Sequence, residues 1–218
     1  MGVLGDKFSR MKIAAAGVFL WSLMTALTGV AKNFSHLIVA RALIGVGESA
    51  LTPNAISMLS DLFNQNKRGT ASAIYYLGIP LGVGFGMLIA AFFGPVFGWR
   101  AVFITLGLIG MGLGIVTYFL LEPKRGQLDV SFDEDNKSAS IREIVSMTKH
   151  ALYNSKCLTF AIIGSIFLHI PLGAGNFEVL WAVNERGFTA SAYNFLFGIF
   201  FILGGTVGAV LGLSLIHI

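Results

Sequence analysis

Six long apolar stretches, approximately 13–31, 36–63, 70–97, 101–121, 157–183 and 190–216, alternate along the chain with short segments that gather most of its charge. The first, Ile13 to Ala31, runs nineteen residues without a charge. A helix in water would show a polar outer face every third or fourth residue, so the absence of one makes lipid the natural solvent. Each stretch is near or above the roughly 20 residues that an α-helix needs to cross about 30 Å of hydrocarbon. The pattern therefore predicts an all-α integral membrane protein with about six transmembrane helices.

Composition points the same way. Hydrophobic residues make up 55% of the chain and charged residues 12%, against about 25% charged in soluble domains. The placement of charge adds an orientation. If successive loops alternate sides, one side holds Lys7, Arg10, Lys12, Lys67, Arg68, Lys124, Arg125, Lys137, Arg142, Lys149 and Lys156, while the other holds Lys32, Arg100 and Arg186. Eleven against three puts the first side in the cytoplasm. The net charge of +4 is then explained by anionic lipid beside the membrane. No basic stripe with interleaved aromatics calls for nucleic acid. The single cysteine, Cys157, begins a span and has no internal partner for a disulfide.

The one long polar stretch, Glu122 to Lys156, has a helical row of apolar residues in its second half, at Ile141, Ile144, Val145 and Leu152. It reads as an amphipathic helix over 139–152 lying on the cytoplasmic membrane face. Among enzyme motifs, the chain lacks G-x-x-x-x-G-K-[ST], H-E-x-x-H and G-x-S-x-G. Gly45-Val-Gly47-Glu-Ser-Ala50 copies a dinucleotide fingerprint, but it lies in mid-helix rather than after a strand, where that fingerprint has meaning. The reading is no enzyme and no cofactor.

The candidate chemistry lies within the spans. Arg41 and Glu48 are seven residues apart, two helical turns, hence on one face and about 10.5 Å apart along the axis. A charge at bilayer depth costs about 2.5–3.5 kcal/mol on insertion scales, so both are expected to face the bundle interior. Glu48 falls near mid-membrane, where desolvation and a nearby guanidinium push a carboxyl in opposite directions, the requirement for a group that takes up and releases a proton. Asn54 follows on the same helix. In the fifth span His169 falls near the midplane, and Pro171, Gly173 and Gly175 suggest a bent outer half leading to Glu178. Arg41, Glu48, Asn54, His169 and Glu178 are the candidate solute and proton-coupling residues.

The opening segment, Gly2-Val-Leu-Gly-Asp6-Lys7-Phe-Ser9-Arg10-Met-Lys12, resembles the signature Gly-x-x-x-Asp-Arg/Lys-x-Gly-x-Arg/Lys that major facilitator superfamily transporters carry between their second and third helices, with Ser9 where the family usually has glycine. Arg41 to Asn54, continuing through Ser60-Asp61-Leu62-Phe63, together with Gly78-Ile-Pro80-Leu-Gly82 and Gly98-Trp99-Arg100, is similar to the spinster-like branch. The resemblance implies a truncated twelve-helix bundle: residues 1–121 hold helices three to six, 122–156 the cytoplasmic loop between halves, and 157–218 helices seven and eight. Further helices are then expected before Met1 and after Ile218. The tail Leu213 to Ile218 resembles translated adapter sequence and carries no functional reading.

The resemblance also implies roles. Gly2, Asp6, Lys7 and Arg10, with Asp61 at the inner end of the next helix, would form a cytoplasmic latch. The rows Gly78, Gly82, Gly86 and Gly204, Gly208, Gly212 would be sliding ridges between the halves. The implied activity is secondary transport of a small amphipathic or anionic solute by alternating access, coupled to protons or another ion, in the plasma (cytoplasmic) membrane. An organic-anion–proton symporter is the nearest alternative. A receptor or scaffold without transport would have no need of charges inside a span.

Overall fold

The computed structural model describes residue 5 and residues 7–126 and 141–216, apart from the side chains at 141, 142, 144, 169–174, 176 and 213–216. The helices are α1 (Arg10–Gly29), α2 (Phe34–Leu62), α3 (Gln65–Tyr118), α4 (Ile141–Asn154), α5 (Lys156–Ala174), α6 (Glu178–Arg186) and α7 (Ala190–Ile216), with a 3₁₀ turn at Gly175–Phe177 between α5 and α6. No strand occurs among the described residues. Two compact units result: residues 1–133 with 194–218, and residues 134–193.

The starts of α1 and α2 are set by side chains that replace missing backbone acceptors. Ser9 Oγ accepts from the Lys12 amide at 3.3 Å, and Asn33 Oδ1 accepts from the His36 amide at 2.9 Å. What packs these helices is small size rather than apolar bulk. Lipid tails are as apolar as leucine, so helices in a membrane gain by bringing their backbones close. A Cβ placed on Gly17 would lie 2.7 Å from the Gly47 carbonyl oxygen, and one on Gly47 would lie 2.8 Å from that of Gly17. On the other side of α1, a Cβ on Gly107 would meet the Ser22 carbonyl oxygen at 2.7 Å, and one on Gly114 would meet the Phe19 backbone nitrogen at 3.0 Å. The buried core of the first unit is accordingly rich in alanine: Ala14, Ala15, Ala40, Ala50, Ala71 and Ala91.

At 54 residues, α3 would be about 81 Å long if straight. It breaks at Gly98, whose φ of 79° and ψ of 159° belong to a region that only glycine occupies readily. Both ends of α3 lie on the same side. Arg68, near its start, bonds to the Ser60 carbonyl of α2, while Glu122, just past its end, bonds to Arg10, which also reaches Asp61 of α2. The helix therefore folds back at Gly98 into two spans, a first arm (65–97) and a second arm (99–118). These are the third and fourth of the six apolar stretches.

The first arm packs antiparallel against α7, but not through the expected glycine rows. Nothing lies within 4 Å of a Cβ built on Gly78, Gly82, Gly86, Gly204, Gly208 or Gly212. The approach runs instead along Pro80, Gly84 and Leu88 against Gly205, Ile202 and Gly198; a Cβ on Gly84 would meet the Gly198 carbonyl oxygen at 2.8 Å. Phe92 and Phe195 continue it edge to face, with centroids 5.7 Å apart. A four-residue spacing marks one side of a helix without saying which neighbour that side meets, and Gly84 is about 200° round the axis from Gly82.

In the second unit, α4 covers the stripe read as amphipathic, extended to Asn154, and meets α5 at a break of 101°. A near-right-angle turn suits a surface helix feeding a span. The stretch read as one span over 157–183 is interrupted. Pro171 stays within α5, and the helix yields only at Gly175–Phe177 before the short α6, which ends on Gly187 in the left-handed region. Length and apolarity suit α1, α2, α3 and α7 for crossing a membrane. Lys32 and Lys67 flank α2, whose 29 residues span about 43 Å. A cysteine at 32 should react with an impermeant thiol reagent on sealed cells, and one at 67 only after permeabilisation; labelling of position 67 from outside would overturn the orientation.

Candidate functional site

α2 carries two separate arrangements. On one face Arg41 and Glu48 are both exposed on the isolated chain. They do not pair with each other. Arg41 places its guanidinium over the half-buried Phe103 ring of the second arm of α3, 5.4 Å from the centroid. Among the described residues Glu48 has neither a hydrogen bond nor an ion pair. The buried stripe of α2 is another one, Ala40, Gly47, Ala50, Asn54, Met58 and Asp61.

Asn54 thus parts company with the two charges. It is 2% exposed, its Nδ2 donates to the Ala50 carbonyl at 2.6 Å, and its Oδ1 stands where a Cβ on Gly5 would fall. Six residues after Glu48 is about 120° round the helix, so its place is under the opening loop and not on the open face. His169 lies in α5 with its side chain outside the described residues. Glu178 opens α6, where its Oε2 accepts from the Tyr193 hydroxyl at 3.1 Å within the second unit.

The second arrangement centres on Arg10, which is 5% exposed. Its Nη1 donates to Asp61 Oδ2 at 2.5 Å and to Ser57 Oγ at 2.9 Å; its Nε and backbone N–H both donate to Glu122 Oε1 at 3.1 Å; its Nη2 donates to the Pro123 carbonyl at 3.2 Å. The guanidinium fork is suited to binding two carboxylates at once. Arg125 adds bonds of 2.7 Å to the carbonyls of Gly5 and Phe8, and the Gly126 amide donates to Asp61 Oδ1 at 3.0 Å. The opening loop, the inner end of α2 and the segment after α3 are thereby tied together. Burial pushes the Glu122 carboxyl upward, but bonds from Ser9 and from the Arg10 backbone and side chain, with the Arg10 charge, outweigh it and hold the group below the usual carboxylate range.

Of the expected latch residues, Arg10 and Asp61 meet, Lys7 is exposed, and Gly2 and Asp6 lie outside the described residues. Glu122, Pro123, Arg125 and Gly126 are not among the latch residues expected from the sequence, which places them only in the cytoplasmic loop between halves. A signal was present: a buried arginine has five donors, one aspartate leaves several unmet, and Glu-Pro-Lys-Arg-Gly follows an apolar run that ends on the same side of the membrane.

Long apolar helices packed through glycine, with a carboxylate and a guanidinium left unpaired on one helix face among the described residues and a charged clasp where basic residues gather, describe a polytopic membrane protein. The chain belongs to the Major Facilitator Superfamily, whose family model matches residues 1–216. Within it the chain is spinster-like. It is similar to the sphingosine-1-phosphate transporter SPNS2 of Danio rerio, with 36% identity over 132 residues, 59% of this chain and 26% of that protein. It is similar to protein spinster of Drosophila melanogaster, with 26% identity over 215 residues, 97% of this chain and 35% of that protein. A probable L-galactonate transporter of Escherichia coli is 33% identical over 119 residues, 55% of this chain and 26% of that protein. A crystal structure of a bacterial homologue of the human lysosomal transporter spinster, inward-facing and unoccupied, shares the fold with a TM-score of 0.72 at 22% identity, over 90% of this chain and 46% of that one. The chain thus spans less than half the length of each.

Proposed function

We propose that the chain contributes helices three to eight of a secondary transporter that moves a small amphipathic or anionic solute by alternating access, with Glu48 as proton-coupling group and Arg41 as solute contact. Residues 1–121 would close the first half, 122–156 link the halves and 157–218 open the second, in a plasma-membrane protein. The observation that carries this reading is the open face of α2, where Arg41 and Glu48 stand two turns apart without pairing. A structural ion pair would have brought them together. The names of two relatives, a sphingosine-1-phosphate transporter and a probable L-galactonate transporter, share an anionic cargo, which suits a guanidinium whose N–H donors meet no acceptor among the described residues. Galactonate, a sugar acid, also favours the organic-anion–proton symporter as the second reading. The clasp around Arg10 would hold the inside closed and release as it opens. Lone surface ion pairs are worth only about 0–1 kcal/mol, so its strength lies in the network and its burial.

Arg41→Gln in the full-length protein should lower uptake efficiency for an anionic solute about ten- to hundredfold, the value of a charge-assisted hydrogen bond, and leave a neutral analogue much less affected. Arg41→Lys should recover part of the loss. Equal effects on charged and neutral solutes would remove Arg41 from solute recognition.

A further inference from the structure

Lys12 fits a basic position of the signature, yet it takes no part in the clasp. It is exposed, in the first turn of α1, and its Nζ stands over the Tyr118 ring, 5.7 Å from the centroid. Tyr118 is also the inner end of an apolar groove of about 310 Å³ between α1 and the second arm of α3. The floor of this groove is Ala15 and Gly114, both buried, and its sides are Ala16, Phe19, Tyr118 and Phe119. The groove exists because of the glycine packing. Gly114 brings the arm onto Phe19 at backbone distance, so small residues recess the seam while the aromatics stand up on either side.

From this geometry we propose that the groove is a binding site for an anionic phospholipid of the cytoplasmic leaflet, with an acyl chain along Ala16 and Phe19 and the phosphate on Lys12. Charge and depth both favour that occupant. The groove ends at the side where eleven of the basic residues outside the spans gather, facing the leaflet that carries anionic lipid, and juxtamembrane lysines gain about a fivefold preference each from that charge. With the ring below it, the ammonium keeps N–H donors for a phosphate, and among the described residues no acidic group competes for it. The start of α1 adds the positive end of a helix dipole. A phospholipid here would brace α1 against the second arm through residues that include neither Arg41 nor Glu48, so the site is independent of the transport reading.

The test is native mass spectrometry of the full-length protein released from micelles holding equal phosphatidylglycerol and phosphatidylcholine. Phosphatidylglycerol should be retained in preference, Lys12→Gln should reduce that preference about fivefold, and Lys12→Arg should keep it. Ala16→Phe, which fills the groove and leaves the charge, should lower retention of both lipids. Lys12 and Ala16 are exposed, so unchanged melting of the variants is expected and separates loss of the site from loss of the fold. Equal retention of the two lipids by the wild type, or phosphatidylglycerol held undiminished by Lys12→Gln and Ala16→Phe, overturns the proposal. So does retention of no phospholipid, the result if another helix of the protein fills the groove.

Discussion

Arg10→Ala is expected to destabilise the full-length protein by about 3–5 kcal/mol, because removing one partner of a buried ion pair leaves the other charge without compensation. Two carboxylates would lose the guanidinium, Asp61 at 6% exposure and Glu122 beside it, and keep only their weaker partners. Arg10→Lys should recover the charge but not the fork that reaches Asp61, Ser57, Glu122 and Pro123 together, so it should fall between. Lys7→Ala, at an exposed position, should melt like the wild type. Melting temperature in detergent measures the order, and an Arg10→Ala protein as stable as Lys7→Ala would show that the clasp contributes nothing. The same cluster carries a pH dependence of known sign. Glu122 is held below its ordinary value, so its contribution is complete above the usual carboxylate range and is lost as pH falls through the lowered value. Acidification to below the usual carboxylate range should therefore loosen the clasp, and Glu122→Gln should flatten that part of the response.

Glu48→Gln is expected to abolish accumulation driven by a pH gradient while leaving exchange of solute down its own gradient intact, since the amide mimics the protonated state permanently. The structure sharpens this expectation. Arg41 rests on Phe103 and is not paired to Glu48, so the neutral variant strands no ion-pair partner among the described residues and should fold normally. Counterflow and proton-driven uptake in the same proteoliposomes separate the outcomes. Undiminished proton-driven accumulation would refute the coupling role; parallel loss of folding and of both transport modes would instead mark Glu48 as structural.

Much of the helical layout was legible because it depends on local quantities. The uncharged run from Ile13, the Gly98-Trp99-Arg100 segment between two apolar stretches and the stripe from Ile141 to Leu152 each announce an element within a few residues. What stayed hidden depends on which face meets which neighbour. Gly78, Gly82 and Gly86 form a convincing row, but the contact with α7 runs through Gly84, two residues out of phase. Asn54 looked like a companion of Glu48 because both are polar in one span; the helical angle between them separates a buried loop support from an open face. Glu122 and Arg125 are far from Arg10 in sequence, and only the return of α3 to its starting side brings them together.

That return has a mechanical corollary. Between the two arms of α3 there is no loop, only Gly98 at a single irregular residue. Loops ordinarily act as slack, letting one span tilt while its neighbour stays still. Here the first arm is gripped by α7 through Gly84 and Gly198, and the second is pressed onto α1 through Gly107 and Gly114. A tilt of the first arm at its contact with α7 would therefore have a single residue, Gly98, in which to be taken up before it reached the second arm and α1, whose first residue is Arg10.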